Sequence, residues 1–344
     1  MHPPTPKRSK ILITGGAGFV GSQLGYYLSS NDYEVILMDD MSSGQLDNLV
    51  IEGKTFGRLV VKDIRAPLEE LRNLMKDVDV VYHFAGCAAL PVCQSDPQLA
   101  YDVNVSGTGN VLEAARLAGV KRIIFSSTSA IYENTKSASF KESDEVMPDL
   151  VYSMTKHAAE QLCKAYSVNY GLETMIVRFF NCYGPHQDFK RTSPPFTSYL
   201  AREFSNHRTP IMYNDDPNVR RDYVHVDDLI RLLVGMLRSS QSYYGEVFNA
   251  CSGSGISAPA IFDIMRGHAK MGNRPEFRDP KLFWEPYQTL TEGRYPLDPA
   301  RITKEVYKNS IGDATKAFEQ FNWRAKTSME DGLLGVYQYA LQHQ

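Results

Sequence analysis

The sequence has few features of a secreted, membrane-bound or nucleic-acid-binding protein. No run approaches the roughly 18 apolar residues that a bilayer-spanning helix requires, and the polar start MHPPTPKRSK lacks the apolar stretch of a signal peptide. Lysine and arginine total 37 against 40 aspartate and glutamate residues, which gives a formal net charge of −3. This balance argues against a generally basic nucleic-acid binder. The sequence predicts a soluble cytoplasmic protein that binds neither membranes nor nucleic acids.

Cysteine is scarce, with five scattered residues, and no pair shows the CxxC or Cys/His spacing of a metal site. We therefore expect reduced thiols and no metal centre. The hydrophobic fraction of 43% is sufficient for a sizeable core. At roughly 150 residues per domain, the 344 residues correspond to about two domains.

Short β-branched runs alternate with helical patterns in the first half of the chain. The predicted strands are Ile11–Thr14, Glu34–Met38, Arg58–Val61, Val78–Phe84, Arg122–Ser126 and Thr174–Arg178. The predicted helices are Gly18–Ser30, Pro67–Met75, Pro97–Leu117 and Tyr152–Tyr170. Nearly continuous apolar strands are typical of strands buried on both faces. The alternation predicts an α/β fold with a Rossmann-type doubly wound parallel sheet.

After Asn181 the regular alternation ends, and Pro, Tyr and Asp become frequent. We expect Tyr223–Val226 and Glu246–Ala250 to return to the large sheet. The predicted Rossmann-type domain then comprises residues 1–181 and 223–255. Residues 182–222 and 256–344 are predicted to form a smaller, discontinuous α/β domain.

The segment Ile11–Gly21, ILITGGAGFVG, joins a buried strand to a helix through a glycine-rich turn. In a dinucleotide-binding loop the first glycine permits the turn, the second lets the backbone approach a pyrophosphate, and the third allows close helix packing. The helix N-terminus attracts the phosphates. The predicted cofactor contacts in this loop are Gly15, Gly18, Phe19 and Val20.

The second strand ends at Asp39, whose carboxylate can bind the ribose hydroxyls of NAD and would repel the 2′-phosphate of NADP. Asp40 is a neighbouring candidate for this role. Ser42 and Ser43 follow with no arginine nearby, so we predict NAD as the cofactor. Asp63 and Ile64, after the third strand, are candidates to border the adenine, although Asp63 also suits a solvated turn.

Two segments carry side chains suited to proton transfer, FSSTSAIYE (Phe125–Glu133) and YSMTK (Tyr152–Lys156). On a helix, Tyr152 and Lys156 share one face at positions i and i+4. A nearby ammonium group and the positive nicotinamide of NAD⁺ favour the phenolate, so Tyr152 is predicted to act as a general base. Thr128 follows the fifth strand, where its hydroxyl group can bond the same substrate oxygen.

The chain resembles the extended short-chain dehydrogenase/reductases, in the NAD-dependent sugar epimerase/dehydratase family, and in particular their UDP-glucose and UDP-N-acetylglucosamine 4-epimerases. The resemblance covers residues 10–338 and rests on TGGAGFVG, HFAG, YDVNVSGTGNVLEAA, FSSTSAIY, YSMTK, RFFNCYGP, RRDYVHVDD and GDATKAFEQFNW. It implies epimerisation of a nucleotide sugar at C4 through a 4-keto intermediate.

The resemblance also implies roles for individual residues. Thr128, Tyr152 and Lys156 would form the catalytic triad, and Lys156 would also hold the nicotinamide ribose. The other implied cofactor contacts are Phe84, Ala85, Gly86 and Asn104. The implied substrate contacts are Asn181 and the phosphate-binding Arg221, with Lys190 and Arg191 of the insertion His186–Pro195 as weaker anion-binding candidates.

Several positions depart from patterns in the family. Ser129 and Ala130 stand where the 4,6-dehydratases place an acidic pair, and the decarboxylases keep an acid at the second position, which disfavours both reactions. Glu133 replaces the usual small residue of the V-Y-G pattern, and Ala88 stands where some galactose epimerases have Lys.

The C-terminal part departs as well. The usual arginine about ten residues before Asp313 is absent in register, and Arg301 is the nearest substitute. Ser310, three residues before Asp313, is small enough to leave room for an N-acetyl group at C2 of the sugar.

Two alternatives to the epimerase remain open at this point, a nucleotide-4-keto-sugar reductase and a non-catalytic dinucleotide-binding scaffold. The intact set of Thr128, Tyr152 and Lys156 argues against the scaffold, and Asp39 argues modestly against an NADPH-dependent reductase. Helices Pro97–Leu117 and Tyr152–Tyr170 resemble the pair that forms an intermolecular bundle in this family, which predicts a homodimer. Their apolar faces also suit an intrachain core.

Overall fold

A computed structural model describes residues 9–272, 274–292 and 294–343. The prediction of no signal peptide rests on residues 1–10, and residues 1–8 lie outside the described ranges. Within the described ranges, none of the helices has both the length and the apolar content needed to cross a membrane.

The strands of the described residues are, in chain order, β1 Lys10–Thr14, β2 Glu34–Asp39, β3 Val50–Ile51, β4 Lys54–Thr55, β5 Arg58–Val61, β6 Val80–His83, β7 Arg122–Thr128, β8 Glu173–Phe179, β9 Asn181–Tyr183, β10 Ile211–Met212, β11 Arg220–His225, β12 Glu246–Ala250, β13 Gly255–Ser257 and β14 Glu276–Phe277. Seven of them form one parallel sheet in the order β12-β8-β7-β6-β1-β2-β5. This order confirms the predicted Rossmann-type sheet.

The α-helices are α1 Phe19–Ser29, α2 Leu68–Leu74, α3 Leu90–Ser95, α4 Pro97–Tyr101, α5 Thr108–Ala118, α6 Val151–Tyr170, α7 Phe196–Ser205, α8 Val226–Arg238, α9 Ala258–Ala269, α10 Pro299–Val306, α11 Thr315–Phe321 and α12 Met329–Gln342. The predicted helix Pro97–Leu117 is interrupted, because Asp102–Gly107 forms a π-helical segment between α4 and α5. Such segments often occur at functional sites.

Both faces of the large sheet are covered. Ile11 and Ile13 of β1 face a cluster that includes α1 and α8, whereas Leu12 faces the cluster that includes α2, α5 and α6. Alternate residues of one strand therefore fill opposite cores. The strand Arg58–Val61 is an exception to the predicted burial, because it lies at the sheet edge with Arg58 and Val61 exposed.

Two late strands take different positions. Glu246–Ala250 joins the large sheet as predicted, pairing with β8 at its edge. The prediction that Tyr223–Val226 also returns there is wrong, since β11 pairs with β9 and β13 in a separate three-stranded sheet. The edge next to β8 is already occupied by β12. A further core between α7, α9 and α12 lies in this later part of the chain.

Candidate active site

A cleft opens where the chain order of the large sheet reverses, between β1 and β6. Ligands of open α/β sheets bind at such a point, beyond the carboxyl ends of the strands. The cleft has a volume of about 310 Å³ and is lined by Gly15, Gly18, Phe19, Val20, Gly21, Phe84, Gly86, Cys87, Ala88, Ser126, Ser127, Thr128, Tyr152, Lys156, Phe179 and Phe180. The structure therefore brings the predicted glycine-rich loop and the three predicted catalytic residues together.

The glycine-rich turn leaves no room for a side chain at Gly15 or Gly21. Gly15 has φ +71°, and a Cβ atom there would lie 2.8 Å from the Ala85 nitrogen. A Cβ atom on Gly21 would overlap the Gly15 carbonyl oxygen. Helix α1 starts directly after Gly18 without a side-chain cap, so N–H groups of its first turn are available to an anion. These features fit the pyrophosphate of a dinucleotide.

Asp39 is built into the wall of this turn. Its Oδ2 accepts a hydrogen bond from the Ala17 N–H at 3.0 Å, and its Oδ1 accepts one from the Met41 N–H at 2.9 Å. Burial raises the pKa of this carboxyl group. Asp39 thus ties the loop after β2 to the glycine-rich turn, and each of its oxygens keeps a lone pair for a ribose hydroxyl. Asp40 binds the Ser42 hydroxyl and N–H groups.

Asp63 and Ile64 lie beyond the edge strand β5. The Asp63 carboxylate forms a paired contact with the Arg65 guanidinium, with a shortest distance of 2.6 Å, which lowers the pKa of Asp63. The Ile64 side chain is buried in the core and faces Gly107. An adenine contact by these residues stays a prediction.

A hydrogen-bonded chain fixes the end of β6. The His83 ring bonds the Thr14 hydroxyl group at 2.7 Å and the Thr108 hydroxyl group at 3.0 Å. Burial lowers the pKa of His83 to about 3, so the ring is neutral. The Thr14 hydroxyl group also accepts the Ala85 N–H at 3.2 Å. This chain holds the Phe84–Gly86 segment against the cleft.

Asn104 supports the same segment from the π-helical turn. Its amide group accepts a hydrogen bond from the Cys87 N–H at 2.8 Å and donates to the Cys87 carbonyl oxygen at 3.0 Å. It also donates to the Thr155 hydroxyl group of α6 at 3.1 Å. Asn104 therefore joins the β6 end to helix α6 from behind the cleft lining.

Thr128 ends β7, and the first turns of α6 carry Tyr152 and Lys156. The Thr128 hydroxyl oxygen accepts the Ala130 N–H at 3.1 Å. The Lys156 Nζ atom lies 4.4 Å from the centre of the Phe125 ring, an arrangement that stabilises a cation. Burial lowers the pKa of Lys156 to about 8, so the ammonium form still dominates at neutral pH.

Burial raises the pKa of the Tyr152 phenol, and the Thr128 hydroxyl group only partly offsets this effect. The thiols of Cys93 and Cys87 raise this pKa further. Desolvation disfavours the phenolate because the ring is almost fully enclosed. The protein residues alone therefore favour the protonated form of Tyr152.

Three predicted substrate contacts lie outside the lining of this cleft, in and beside the three-stranded sheet. The Asn181 side chain of β9 donates to the Asp222 carbonyl oxygen at 2.7 Å. Arg221 of β11 donates to the Glu305 carbonyl oxygen and lies 3.6 Å from its carboxylate. Ser310 is buried and is bridged to Arg221 through the backbone.

The remaining cationic candidates have other partners or face solvent. Arg301 binds Asp149 at 2.6 Å and lies 3.5 Å from Glu133, so its charge is already opposed by carboxylates. Arg191 is exposed and donates to the Ser193 carbonyl oxygen. Lys190 is also exposed, at 4.0 Å from Asp47. The structure does not bring these three residues into the cleft.

The sequence interpretation assigned no site role to six lining residues, which are Cys87, Ala88, Ser126, Ser127, Phe179 and Phe180. The two phenylalanines belong to the quoted motif RFFNCYGP, in which Phe179 ends the buried strand β8 and Phe180 follows it, and this was an available signal. Cys87 directly follows HFAG, but its side chain gave no chemical reason to assign it.

A parallel Rossmann-type sheet with a glycine-rich turn and a Thr, Tyr and Lys set in one cleft defines a dinucleotide-dependent enzyme of the short-chain dehydrogenase/reductase class. The profile of the NAD dependent epimerase/dehydratase family matches residues 11–251. The chain belongs to this family. The predictions of the family, of an enzyme and of NAD as its cofactor are confirmed.

Relatives match over almost their full length. The low-salt glycan biosynthesis protein Agl12 of Haloferax volcanii is 33% identical over 335 residues, which covers 96% of this chain and 98% of that protein. The UDP-glucose 4-epimerase of Mycolicibacterium smegmatis is 29% identical over 333 residues, with 96% and 98% covered. The solved UDP-glucose 4-epimerase of Thermotoga maritima with UDP-glucose has a TM-score of 0.84 at 28% identity, with 97% and 99% covered.

Proposed function

We propose that this chain inverts C4 of a UDP-sugar, with NAD as cofactor, through a 4-keto intermediate. The observation that carries the proposal is the meeting of Thr128, Tyr152 and Lys156 with the glycine-rich turn in one cleft. Ser129 and Ala130 follow Thr128 without a carboxyl group, so the cleft wall there has no acid for dehydration. The UDP-glucose 4-epimerases of Mycolicibacterium smegmatis and Thermotoga maritima, among other relatives, support the predicted activity.

The residues that would hold the cofactor are Gly15, Gly18, Phe19, Val20, Asp39, Ser42, Asp63, Ile64, Phe84, Ala85, Gly86, Asn104, Tyr152 and Lys156. Bound NAD supplies the acceptor, and then the donor, of the C4 hydride. Tyr152 removes the proton from the 4-hydroxyl group and returns it after the sugar presents its other face. The Thr128 oxygen accepts the Ala130 N–H, and its hydroxyl proton can be donated to the Tyr152 oxygen or to a substrate oxygen.

Asn181, Arg191, Arg221, Arg301 and Ser310 are proposed to contact the nucleotide sugar, with Arg221 on the phosphates. A guanidinium group suits this task because its fork pairs with phosphate oxygens. The small Ser310 would leave space for an N-acetyl group. The division into an NAD-binding domain of residues 1–181 and 223–255 and a substrate domain of 182–222 and 256–344 belongs to the same proposal.

We also propose a cytoplasmic homodimer. The outer face of α6 carries an exposed stripe with coiled-coil spacing, made of Met154, Ala158, Gln161, Ala165 and Val168. Met154 is 53% exposed and Val168 is 81% exposed. Four of these five side chains are small or apolar, and such a row suits close packing against the same helix of a second copy.

The activity is tested by incubating the purified protein with UDP-glucose, UDP-N-acetylglucosamine, and GDP-, CDP- and dTDP-sugars without added coenzyme. We expect NMR spectra to show the C4 epimer of at least one UDP-sugar. Conversion that requires stoichiometric NADPH would instead identify a 4-keto-sugar reductase. No conversion of any sugar would contradict the proposed activity and favour a scaffold.

A further inference from the structure

Helix α6, which carries Tyr152, lacks a cap of its own. Its N-cap residue is Leu150, which has no side-chain oxygen, and its first turn contains no acidic residue. The N–H groups of a first helical turn need acceptors from elsewhere, and a negative charge near them is stabilising. The start of the proposed catalytic helix therefore depends on residues from other parts of the chain.

The Val151 N–H group of the first turn donates to Gln94 Oε1 at 3.2 Å. Glu133 holds the two residues just before the helix and the side chain of Ser153 in its first turn. Its Oε2 atom accepts hydrogen bonds from the Asp149 N–H at 2.8 Å, the Leu150 N–H at 3.0 Å and the Ser153 hydroxyl group at 2.8 Å. The residue is only 6% exposed. One buried oxygen thus holds the last two loop residues before α6 and the residue directly after Tyr152.

The two oxygens of Glu133 differ, because Oε2 accepts three hydrogen bonds and Oε1 accepts none from the described residues. Oε1 is buried and forms no hydrogen bond with any described residue, although Arg301 lies 3.5 Å away. Burial also raises the pKa of Glu133. A buried, partly satisfied carboxyl group lowers stability unless its contacts compensate for it. The hydrogen bonds of Glu133 lie at the start of α6, and the guanidinium of Arg301 opposes its charge.

Helix α10 also contacts the residues just before α6. Arg301 binds the Asp149 carboxylate at 2.6 Å, and Lys304 lies 3.4 Å from it. Glu305 of this helix contacts Arg221. Glu133 therefore lies where the start of α6 meets the helix that contacts the proposed phosphate-binding arginine.

We propose that Glu133 is a positioning residue for the reaction, because its carboxylate fixes the first turn of α6 and with it the orientation of Tyr152. This inference rests on the proposed function of Tyr152. Glu133 itself does not line the cleft, so it acts through the helix and not on the sugar. A displacement of a catalytic group by about 1 Å is enough to lower turnover by about a hundredfold.

The test compares Glu133→Ala and Glu133→Gln with the control Glu142→Ala. Glu142 is a half-buried carboxylate that accepts one backbone N–H, from Asn249 at 2.7 Å, away from α6. We expect Glu133→Ala to lower kcat on UDP-glucose or UDP-N-acetylglucosamine by about tenfold to a hundredfold, with KM changed by less than about threefold. Glu133→Gln keeps a carbonyl oxygen for the three donors and should stay within about threefold of wild type.

Hydrogen–deuterium exchange provides a readout that does not need turnover. Peptides covering residues 149–155 should exchange faster in Glu133→Ala than in wild type. The same peptides should exchange at the wild-type rate in Glu142→Ala. Equal kcat values for Glu133→Ala and Glu142→Ala, or a Gln variant as slow as the Ala variant, would overturn the positioning role. If the wild-type protein converts neither sugar, the proposed function is contradicted, whatever the exchange data show. If residues 149–155 then also exchange equally fast in wild type and in Glu133→Ala, the role of Glu133 in holding the start of α6 is contradicted too.

Discussion

Replacing Tyr152 with Phe should lower kcat by about 10²- to 10⁴-fold, the usual contribution of general acid–base catalysis. The variant loses only the phenolic oxygen. The ring keeps its buried packing near Cys93 and Ala130, so the fold and the NAD content should be retained. The measurement is kcat on the UDP-sugar that wild type converts, with circular dichroism and cofactor content recorded for both proteins.

Tyr166→Phe is the matched control for this experiment. Tyr166 lies on the same helix and donates its hydroxyl hydrogen to Glu113 at 3.2 Å, far along α6 from the cleft lining. Its loss should leave kcat within about threefold of wild type, as expected for a surface hydrogen bond. Activity of Tyr152→Phe in that same range would remove Tyr152 from the reaction.

Removing the carboxylate of Glu160 should lower the free energy of unfolding by about 3–5 kcal/mol, because it leaves a buried charge without its partner. Glu160 is fully buried and binds Arg178, itself 3% exposed, at 2.9 Å. It also accepts the Ser127 hydroxyl group at 2.5 Å. The pair thus lies directly beneath a residue of the cleft lining, where β7, β8 and α6 meet.

Denaturant unfolding of Glu160→Ala and Glu69→Ala measures this difference. Glu69 forms an exposed pair with Arg72 at 3.1 Å on α2, and exposed pairs contribute only about 0–1 kcal/mol. A loss for Glu160→Ala no larger than that of the control would show that the buried pair does not stabilise the fold.

Local patterns in the sequence were sufficient for the centre of the site. The strand before Gly15 and the glycine spacing are consecutive in the chain, so they specify the turn without any long-range contact. Tyr152 and Lys156 share a helix face for the same reason. The parallel order of the sheet follows from the alternation of strands and helices, and the structure confirms these elements.

Long-range contacts explain what the sequence could not specify. The position of Tyr223–Val226 depends on competition with Glu246–Ala250 for the edge beside β8, and a single strand pattern contains no information on its partner. The pKa of Tyr152 depends on burial by several elements. The sequence does not show which groups lie near the charge of Arg301. Folding places its guanidinium beside the carboxylates of Asp149 and Glu133.

The central claim is that the C4 hydrogen of the sugar leaves and returns within the same cleft while Tyr152 moves only the hydroxyl proton. The most direct test is turnover of a UDP-sugar labelled with deuterium at C4, in ordinary water, with the product examined by NMR and mass spectrometry. The proposed reaction predicts that the epimer retains the deuterium at C4. Loss of the label to solvent, or incorporation of solvent deuterium at C3 or C5 in heavy water, would contradict it and indicate an enolising route.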